Sequence, residues 1–161
     1  PGVGAFGDGI RNLTDHGLIE PLTQMVVQEK KPILGICLGS QLMAKTSEEF
    51  GSHLGLGWID GHVKKLKPND TSLRVPHVGW NELKKSRKSF IFEGIEDNSL
   101  FYYVHSYCIE VEDQNIVAGT CDYGGEFVSA IEYNNIVTTQ FHPEKSQQSG
   151  LTLLNNFLKK I

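Results

Sequence analysis

The segment Gly35-Ile36-Cys37-Leu38-Gly39 constrains the fold of this chain more than any other. Residues 32–36 (Pro-Ile-Leu-Gly-Ile) are typical of a short buried strand, and residues 40–50 are predicted to form a helix that ends at Gly51. A Gly-x-Cys-x-Gly turn between a strand and a helix is the pattern of a nucleophile elbow, because its glycines permit a tight, strained corner. The pattern predicts that Cys37 is held above a sheet as a nucleophile. A buried cysteine in a glycine loop is the alternative.

Cys37 is predicted to lie at the N-terminus of the helix that follows it. Unpaired N–H groups and the positive end of the helix dipole favour a thiolate at such a position. The backbone N–H of Leu38 is placed to donate to an oxyanion. We therefore expect a reactive thiolate with one oxyanion donor beside it.

The order of the predicted elements indicates an α/β fold. A glycine loop at residues 1–4 precedes a short helical piece around Ile10 and Leu13, and a second helix opens at Glu20-Pro21 before the elbow strand. Strands that alternate with helices in this way are typical of a parallel sheet with crossover helices.

The second half of the chain is richer in short β-like runs, which indicate an antiparallel or mixed sheet. Asn134-Asn135 is a predicted tight turn between two of them. A last helix is predicted from about Ser149, with an apolar stripe of Leu151, Leu154, Leu158 and Ile161 joined by Phe157. The predicted runs are Trp58-Ile59 and residues 62–66, 73–78, 101–110, 116–121, 127–133 and 136–141.

The length and charge of the chain indicate a single domain and argue against a general nucleic-acid-binding protein. A chain of 161 residues fits one domain, and its formal charge of −4 provides no general basic field for nucleic acid. No apolar run is long enough to span a membrane, and three widely spaced cysteines favour a reducing, cytoplasmic setting. Because Pro1-Gly2-Val3-Gly4 is typical of a loop leaving a strand, we expect that an N-terminal segment precedes it.

His142 and Glu144 are the predicted partners of Cys37. His142 lies before Pro143, and a residue before proline is pushed to extended geometry. Side chains two apart in an extended chain point to the same side, so Glu144 can orient the imidazole and stabilise its cation. The alternative for an isolated histidine is a hydrogen-bonding residue of the surface or core. The elbow and this pair together favour a Cys-His-Glu triad.

Gln41 and the loop Gly2-Val3-Gly4 are further candidates. Gln41 follows Cys37 by four residues, so it lies on the same helix face and is placed to bind a substrate carboxylate or amide; it is otherwise a helix former. A backbone N–H of Val3 or Gly4 completes an oxyanion hole if that loop lies beside the elbow; otherwise it is an ordinary turn. We predict no metal and no cofactor, since the chain has no zinc spacing, phosphate loop or dinucleotide fingerprint.

Five segments, in the same order, are similar to the class I (triad) glutamine amidotransferases, and within them to the glutaminase subunits of imidazole glycerol phosphate synthases. The resemblance implies a flavodoxin-like fold with a mainly parallel central sheet, helices on both faces and a smaller mixed sheet, in one glutaminase domain over residues 1–161. The segments are Pro1–Phe6, Gly35–Gln41, Pro76–Asn81, Val104–Tyr107 and Gln140–Ser146.

The same resemblance implies roles for individual residues. Cys37 attacks the side-chain amide of glutamine, His142 protonates the leaving ammonia, Glu144 orients His142, and water releases glutamate from a thioester. The N–H groups of Val3 and Leu38 form the oxyanion hole, although the Val3-Gly4 peptide often must turn inward first, which implies weak activity without a partner. The implied glutamine pocket comprises Gly4, Gln41, Glu49, His105, Ser106 and Tyr107.

The resemblance also implies a partner. Ammonia passes to a synthase or cyclase subunit in a heterodimer, and Trp80, Asn81 and Lys145 resemble positions near that interface. Three alternatives remain open: the same chemistry serving an ATP-dependent synthetase for surface-sugar precursors, a stand-alone γ-glutamyl cysteine hydrolase, and a non-catalytic scaffold.

Overall fold

The computed structural model describes residues 1–160, which form an α/β fold of short strands and few helices. The helices are α1 (Phe6–Asp15), α2 (Ile19–Thr23, continued by a π-helical turn at Gln24–Gln28), α3 (Leu38–Leu42) and α4 (Gln147–Leu158). The strands are β1 (Ile33–Ile36), β2 (Ala44–Ser47), β3 (His53–Leu54), β4 (Ile59–Lys65), β5 (His77–Glu82), β6 (Lys84–Lys85), β7 (Leu100–His105), β8 (Tyr107–Val111), β9 (Val117–Asp122), β10 (Glu126–Tyr133) and β11 (Ile136–Thr139).

The largest sheet has five strands in the order β1-β11-β10-β9-β6. The α/β class is confirmed, but this sheet is mixed rather than mainly parallel, since β1 and β11 are parallel and its other neighbours are antiparallel. The reason is the length of the connections. Only Asn134 and Asn135 separate β10 from β11, and a two-residue turn cannot carry a crossover.

The remaining strands form two smaller sheets, and three predicted elements have different bounds in the structure. One has the order β3-β2-β4-β8, and the other pairs β5 with β7. The predicted helix over residues 40–50 ends at Leu42, because β2 pairs with both β3 and β4 and this pairing overrides helix propensity. The predicted strand over 73–78 begins only at His77, and the run 101–110 is divided at Ser106 into β7 and β8.

Helices cover both faces of the five-stranded sheet, as expected. Successive residues of β11 point to opposite faces, so Ile136 packs in one core and Val137 in the other. The first core holds Phe6 of α1, and the second holds Leu153 of α4. Across residues 1–160 the helices all fall short of the length and hydropathy that a membrane crossing requires.

Helix α4 buries a different face from the predicted stripe. Gly150, Leu153 and Phe157 are buried, whereas Leu151 and Leu158 are 57% and 63% exposed. A Cβ atom at Gly150 would lie 1.9 Å from the carbonyl oxygen of Pro143, so the absence of a side chain lets the helix pack on that segment. This close approach fixes which face turns inward. Ile161, the last residue of the predicted stripe, lies outside the described residues.

Candidate active site

Cys37 occupies the strained corner that the sequence predicts between β1 and α3. Its backbone has φ +52° and ψ −109°, a conformation that costs a residue with a side chain of order 1–3 kcal/mol. A Cβ atom at Gly35 would lie 2.9 Å from the carbonyl oxygen of Gly39, so glycine allows the strand and the helix to approach closely. The corner therefore presents the Cys37 side chain at the end of the strand.

Burial governs the ionisation of Cys37. Its side chain is 6% exposed, and removal from water raises the pKa of the thiol to about 11, although the backbone N–H of Leu38 acts in the opposite direction. The thiolate expected from a helix N-terminus is thus wrong for this conformation. Helix α3 has only five residues, and its dipole does not offset the loss of solvation. The resting group is a thiol, which needs a base before it can attack.

Glu144 fixes the orientation of the His142 imidazole. The imidazole Nδ1 lies 2.6 Å from Glu144 Oε1. Since an ionised carboxylate only accepts, Nδ1 carries a proton and donates it to Glu144. Nε2 is buried and finds no hydrogen-bond partner within residues 1–160, and an unpaired buried nitrogen costs about 1–3 kcal/mol. A buried nitrogen left without a partner at this cost is typical of a functional group.

The sheet brings the ends of β1 and β11 together. Ile36 pairs with Thr139 in the parallel ladder, and the Cys37 N–H donates to the Thr139 carbonyl at 2.8 Å. The chain then continues from Thr139 to His142, so the cysteine and the histidine follow the carboxyl ends of adjacent strands. In the described residues no hydrogen bond joins their side chains, because the thiol is directed to the Val104 carbonyl at 3.9 Å.

Gln140 is a contact of Cys37 that the sequence analysis did not assign. The side chain is 1% exposed, and its Nε2 lies 3.7 Å from Cys37 Sγ. The sequence contains an indication of this contact. Gln140 precedes His142 by two residues, and side chains two apart in an extended chain point to the same side.

A cavity of about 260 Å³ lies beside Cys37 and is lined by all the residues predicted for substrate binding and the oxyanion hole. Pro76 and Val104 line it too, and neither had been assigned a role. A larger cavity of about 600 Å³ shares no lining residue with it. Cavity volume alone would therefore not identify the site at Cys37. The lining residues are Val3, Gly4, Cys37, Leu38, Gln41, Glu49, Pro76, Val104, His105, Ser106 and Tyr107.

The predicted oxyanion hole is not open in this conformation. The Leu38 N–H donates to the Gly2 carbonyl at 3.2 Å, and Gly2 forms a parallel bridge with Cys37. A carbonyl oxygen therefore occupies the donor that an oxyanion would need. Val3, the second predicted contributor, is 74% exposed. The peptide at Gly2 must move before Leu38 can serve a substrate.

Gln41 has no N–H left for a substrate carboxylate, which corrects that part of the sequence prediction. Its Nε2 donates to the Tyr107 carbonyl at 2.8 Å and to Gln140 Oε1 at 3.1 Å. Its Oε1 remains to accept from an amide or ammonium group. Glu49 Oε2 accepts the Phe6 N–H at 2.7 Å, so the start of α1 holds this carboxylate at the cavity. The polar side chains of the cavity thus favour a substrate with a cationic or amide end.

His105 lines the cavity, but its ring is turned into a buried pair with His77. His105 Nδ1 donates to the Tyr107 carbonyl at 2.9 Å, so its Nε2 accepts from His77 Nδ1 at 3.1 Å. Burial lowers the pKa of both imidazoles to about 4. His77 also stacks on Tyr123, with ring centroids 4.0 Å apart. His105 therefore braces the cavity wall as a neutral ring.

The buried histidine pair makes stability depend on pH. In the unfolded chain both imidazoles bind a proton near pH 6.5, whereas in the folded protein they do so only near pH 4. The pair's contribution is present above pH 6.5 and is lost as the pH falls to 4, by about 3 kcal/mol for each imidazole. Urea unfolding at half-unit pH steps measures this change in the free energy of unfolding.

In His77→Phe the free energy of unfolding should depend less steeply on pH between 4 and 6.5. The exposed control His16→Gln should keep the wild-type dependence. The same dependence on pH in the wild type and both variants would contradict the assignment.

The residues predicted for a partner interface separate into two groups. The Trp80 ring packs edge-on against Tyr102 at 6.0 Å, and Lys145 Nζ lies 5.7 Å from the Tyr102 ring centroid. Trp80 is 44% exposed. Asn81 points to the opposite side of β5, where its Nδ2 donates to the Asp122 carbonyl at 2.9 Å. Trp80 and Lys145 thus share an exposed surface that Asn81 does not join.

Comparisons with known proteins agree with this arrangement. The family model described as "Glutamine amidotransferase class-I" matches residues 1–161. The protein named "Imidazole glycerol phosphate synthase subunit HisH" in Geobacter sulfurreducens is 48% identical over 161 residues, which cover 98% of this chain and 77% of that protein. Its namesake in Aquifex aeolicus is 46% identical over 160 residues, covering 99% of this chain and 75% of that protein.

Solved structures show the same fold at low identity. A glutamine amidotransferase from Thermotoga maritima matches with a TM-score of 0.65 and 18% identity, over 99% of this chain and 60% of that one. A protein from Thermoplasma acidophilum, described as part of a GMP synthase, gives a TM-score of 0.62 and 22% identity, over 89% of this chain and 63% of that one. The chain thus spans less than two thirds of each of these two solved structures.

Proposed function

Since the chain belongs to the class I glutamine amidotransferase family, we propose that it is the glutaminase subunit of an imidazole glycerol phosphate synthase. In this role it hydrolyses glutamine to glutamate and ammonia and delivers the ammonia to a cyclase subunit for histidine biosynthesis. The observation that carries the proposal is the strained Cys37 at a cavity, together with the His142 imidazole held by Glu144.

Cys37 and His142 perform the chemistry in two steps. His142 Nε2 takes the thiol proton, and Cys37 Sγ attacks the γ-carboxamide carbon to form a tetrahedral adduct. The same imidazole then gives the proton to the leaving nitrogen, which departs as ammonia and leaves a γ-glutamyl thioester. Water, deprotonated by His142, cleaves the thioester to glutamate. Glu144 holds the imidazole in the required tautomer and stabilises its cation.

The cavity binds glutamine through groups that match its two ends. Glu49 pairs with the α-ammonium group, because it is the carboxylate that lines the cavity. Gln41 Oε1 accepts from an N–H of the substrate, and Gly4 with residues 105–107 forms the rest of the wall. The N–H groups of Val3 and Leu38 bind the oxyanion once the Gly2 carbonyl has left Leu38.

A cyclase subunit docks on the surface formed by Trp80, Tyr102 and Lys145. These side chains lie beside Pro143–Lys145, the turn that follows His142, so a partner seated there adjoins the site where ammonia is released. Release against a partner is useful because ammonia in neutral water is mostly protonated and no longer nucleophilic. We place the resulting heterodimer in the cytoplasm.

The relatives favour this function over the other synthases that use the same chemistry. The names of the two curated relatives reported above specify imidazole glycerol phosphate synthase, at 46–48% identity across almost all of this chain. An ATP-dependent amidating synthetase for surface-sugar precursors remains the alternative to test, and copurification distinguishes the two partners.

We expect weak glutamine hydrolysis by this chain without a partner and at least a hundredfold stimulation by the cyclase with its nucleotide ligand. The physical reason is the occupied Leu38 N–H, since one oxyanion donor is worth about 10²–10³ in kcat. Glutamate release, measured with and without the cyclase, tests this. Full activity without any partner, or stimulation only by an amidating synthetase, would contradict the proposal.

A further inference from the structure

We propose that Gln140 is a positioning residue that donates a hydrogen bond to Cys37 Sγ and so stabilises the thiolate, with Gln41 fixing the orientation of its amide. This inference rests on the proposed role of Cys37 as the nucleophile. It concerns a side chain to which neither the triad nor the glutamine pocket assigns a task.

The chain of hydrogen bonds determines which end of each amide faces which neighbour. The Tyr107 carbonyl can only accept, so the Gln41 atom 2.8 Å from it must be the nitrogen. That nitrogen has a second hydrogen, which it gives to the Gln140 atom 3.1 Å away. This Gln140 atom must therefore be the oxygen, and the amide nitrogen of Gln140 is the end that faces Cys37.

The contact with sulfur is enclosed. Gln140 Nε2 lies 3.7 Å from Cys37 Sγ, and Gln140, Gln41 and Cys37 are 1%, 5% and 6% exposed. Water therefore does not compete for the donor. A hydrogen bond in such surroundings is worth more to a charged acceptor than to a neutral one, so it favours the thiolate over the thiol.

The backbone fixes Gln140 in this position. Its N–H donates to the Ser129 carbonyl at 2.8 Å, and the preceding residue, Thr139, accepts the Cys37 N–H at 2.8 Å. The residue that supplies the donor and the residue that supplies the nucleophile are thus both held at the end of β11. His105 Nδ1 also donates to the Tyr107 carbonyl, which keeps that acceptor in place for Gln41.

The Gln140 hydrogen bond helps a buried thiol to react at neutral pH. Burial disfavours the thiolate that forms when His142 removes the proton, and Glu144 adds a negative charge nearby. A donor that acts only on the sulfur offsets part of this penalty during the attack. Gln140 does not line the cavity that receives the substrate, so its effect should fall on kcat rather than on KM.

The test is the rate at which iodoacetamide alkylates Cys37, followed by peptide mass spectrometry between pH 7 and pH 9. In Gln140→Met, which keeps the volume but loses the donor, we expect alkylation ten- to a hundredfold slower at every pH. Gln140→Glu keeps the acceptor for Gln41 but removes the donor, and it should be slower still because its carboxylate repels the thiolate. Gln148→Met, at an exposed position of α4, should react as the wild type does.

Buried Cys108 serves as the internal reference in every protein. Wild-type alkylation of Cys37 in both Gln140 variants would overturn the inference. So would a parallel change at Cys108, because Gln140 would then act on the fold as a whole. Glutaminase kinetics should show a tenfold or larger loss of kcat with KM within about twofold. If Cys37→Ala retained glutaminase activity, the proposed function would fail whatever the alkylation rates were.

Discussion

Cys37→Ala is expected to abolish glutamine hydrolysis, with a loss of at least about 10⁴-fold in kcat in the presence of the cyclase. The thiol is the atom that forms the thioester, and with the sulfur gone the neighbouring groups can only assist a direct attack by water. The elbow leaves no substitute, because the other cysteines, Cys108 and Cys121, are buried outside the cavity. Glutamate release, coupled to glutamate dehydrogenase, measures the loss.

The substitution should leave the rest of the protein intact. Alanine is smaller than cysteine and fits the same corner, so binding of the cyclase should stay within about twofold of wild type. Cys108→Ala is the matched control, since it removes a buried thiol of similar pKa without touching the site. Measurable wild-type turnover in Cys37→Ala would refute the assignment of the nucleophile.

His142→Asn is expected to lower kcat by about 10³-fold or more, with a small effect on stability. The variant loses the base that removes the thiol proton and the acid that protonates ammonia, and each transfer contributes about 10²–10⁴. Asparagine keeps a short polar side chain beside Glu144. The buried Nε2, which has no partner within residues 1–160, disappears with the imidazole, so little stabilisation is lost.

The control for His142→Asn is His16→Asn, at an exposed position after α1. The pH profile provides an independent reading of the same residue. If His142 is the base, raising the pH should partly restore the rate of thioester formation in His142→Asn, because hydroxide replaces the imidazole in removing the thiol proton. A pH-independent loss, or a loss below tenfold, would show that His142 does not transfer the proton.

The local geometry of the site was predictable because it is encoded in short segments. Gly35 and Gly39 flank Cys37 closely enough to define the corner from the sequence, and the spacing of His142 and Glu144 across one proline defines their contact. The resemblance added the cavity residues, all of which line a single cavity. The corner at Cys37 and the contact of His142 with Glu144 do not depend on the pairing of distant strands.

What could not be predicted depends on tertiary packing. The segment after Leu42 has helix-forming residues, but pairing with strands on both sides makes Ala44–Ser47 a strand. The buried face of α4 is set by the contact of Gly150 with Pro143, which hydrophobic spacing does not reveal. The raised pKa of Cys37 depends on how much of the chain encloses it, and that outweighs the helix terminus.

The sequence also does not predict that the Leu38 N–H, the oxyanion donor, is already hydrogen-bonded. Whether the Gly2 carbonyl or a substrate accepts from Leu38 is a choice between two backbone conformations, and both are compatible with Pro1-Gly2-Val3-Gly4. Glycine at position 4, with φ +120°, permits the loop to adopt either conformation without a steric penalty from a side chain.

The central claim is that Cys37 forms a covalent γ-glutamyl intermediate, and mass spectrometry tests it most directly. The protein with its cyclase partner is incubated with a glutamine analogue that carries an electrophilic γ-carbon, digested and analysed peptide by peptide. We predict one adduct per chain, located on Cys37, absent from Cys37→Ala and formed at least a hundredfold more slowly without the cyclase. An adduct on Cys108 or Cys121, or persistent labelling of Cys37→Ala, would contradict the account.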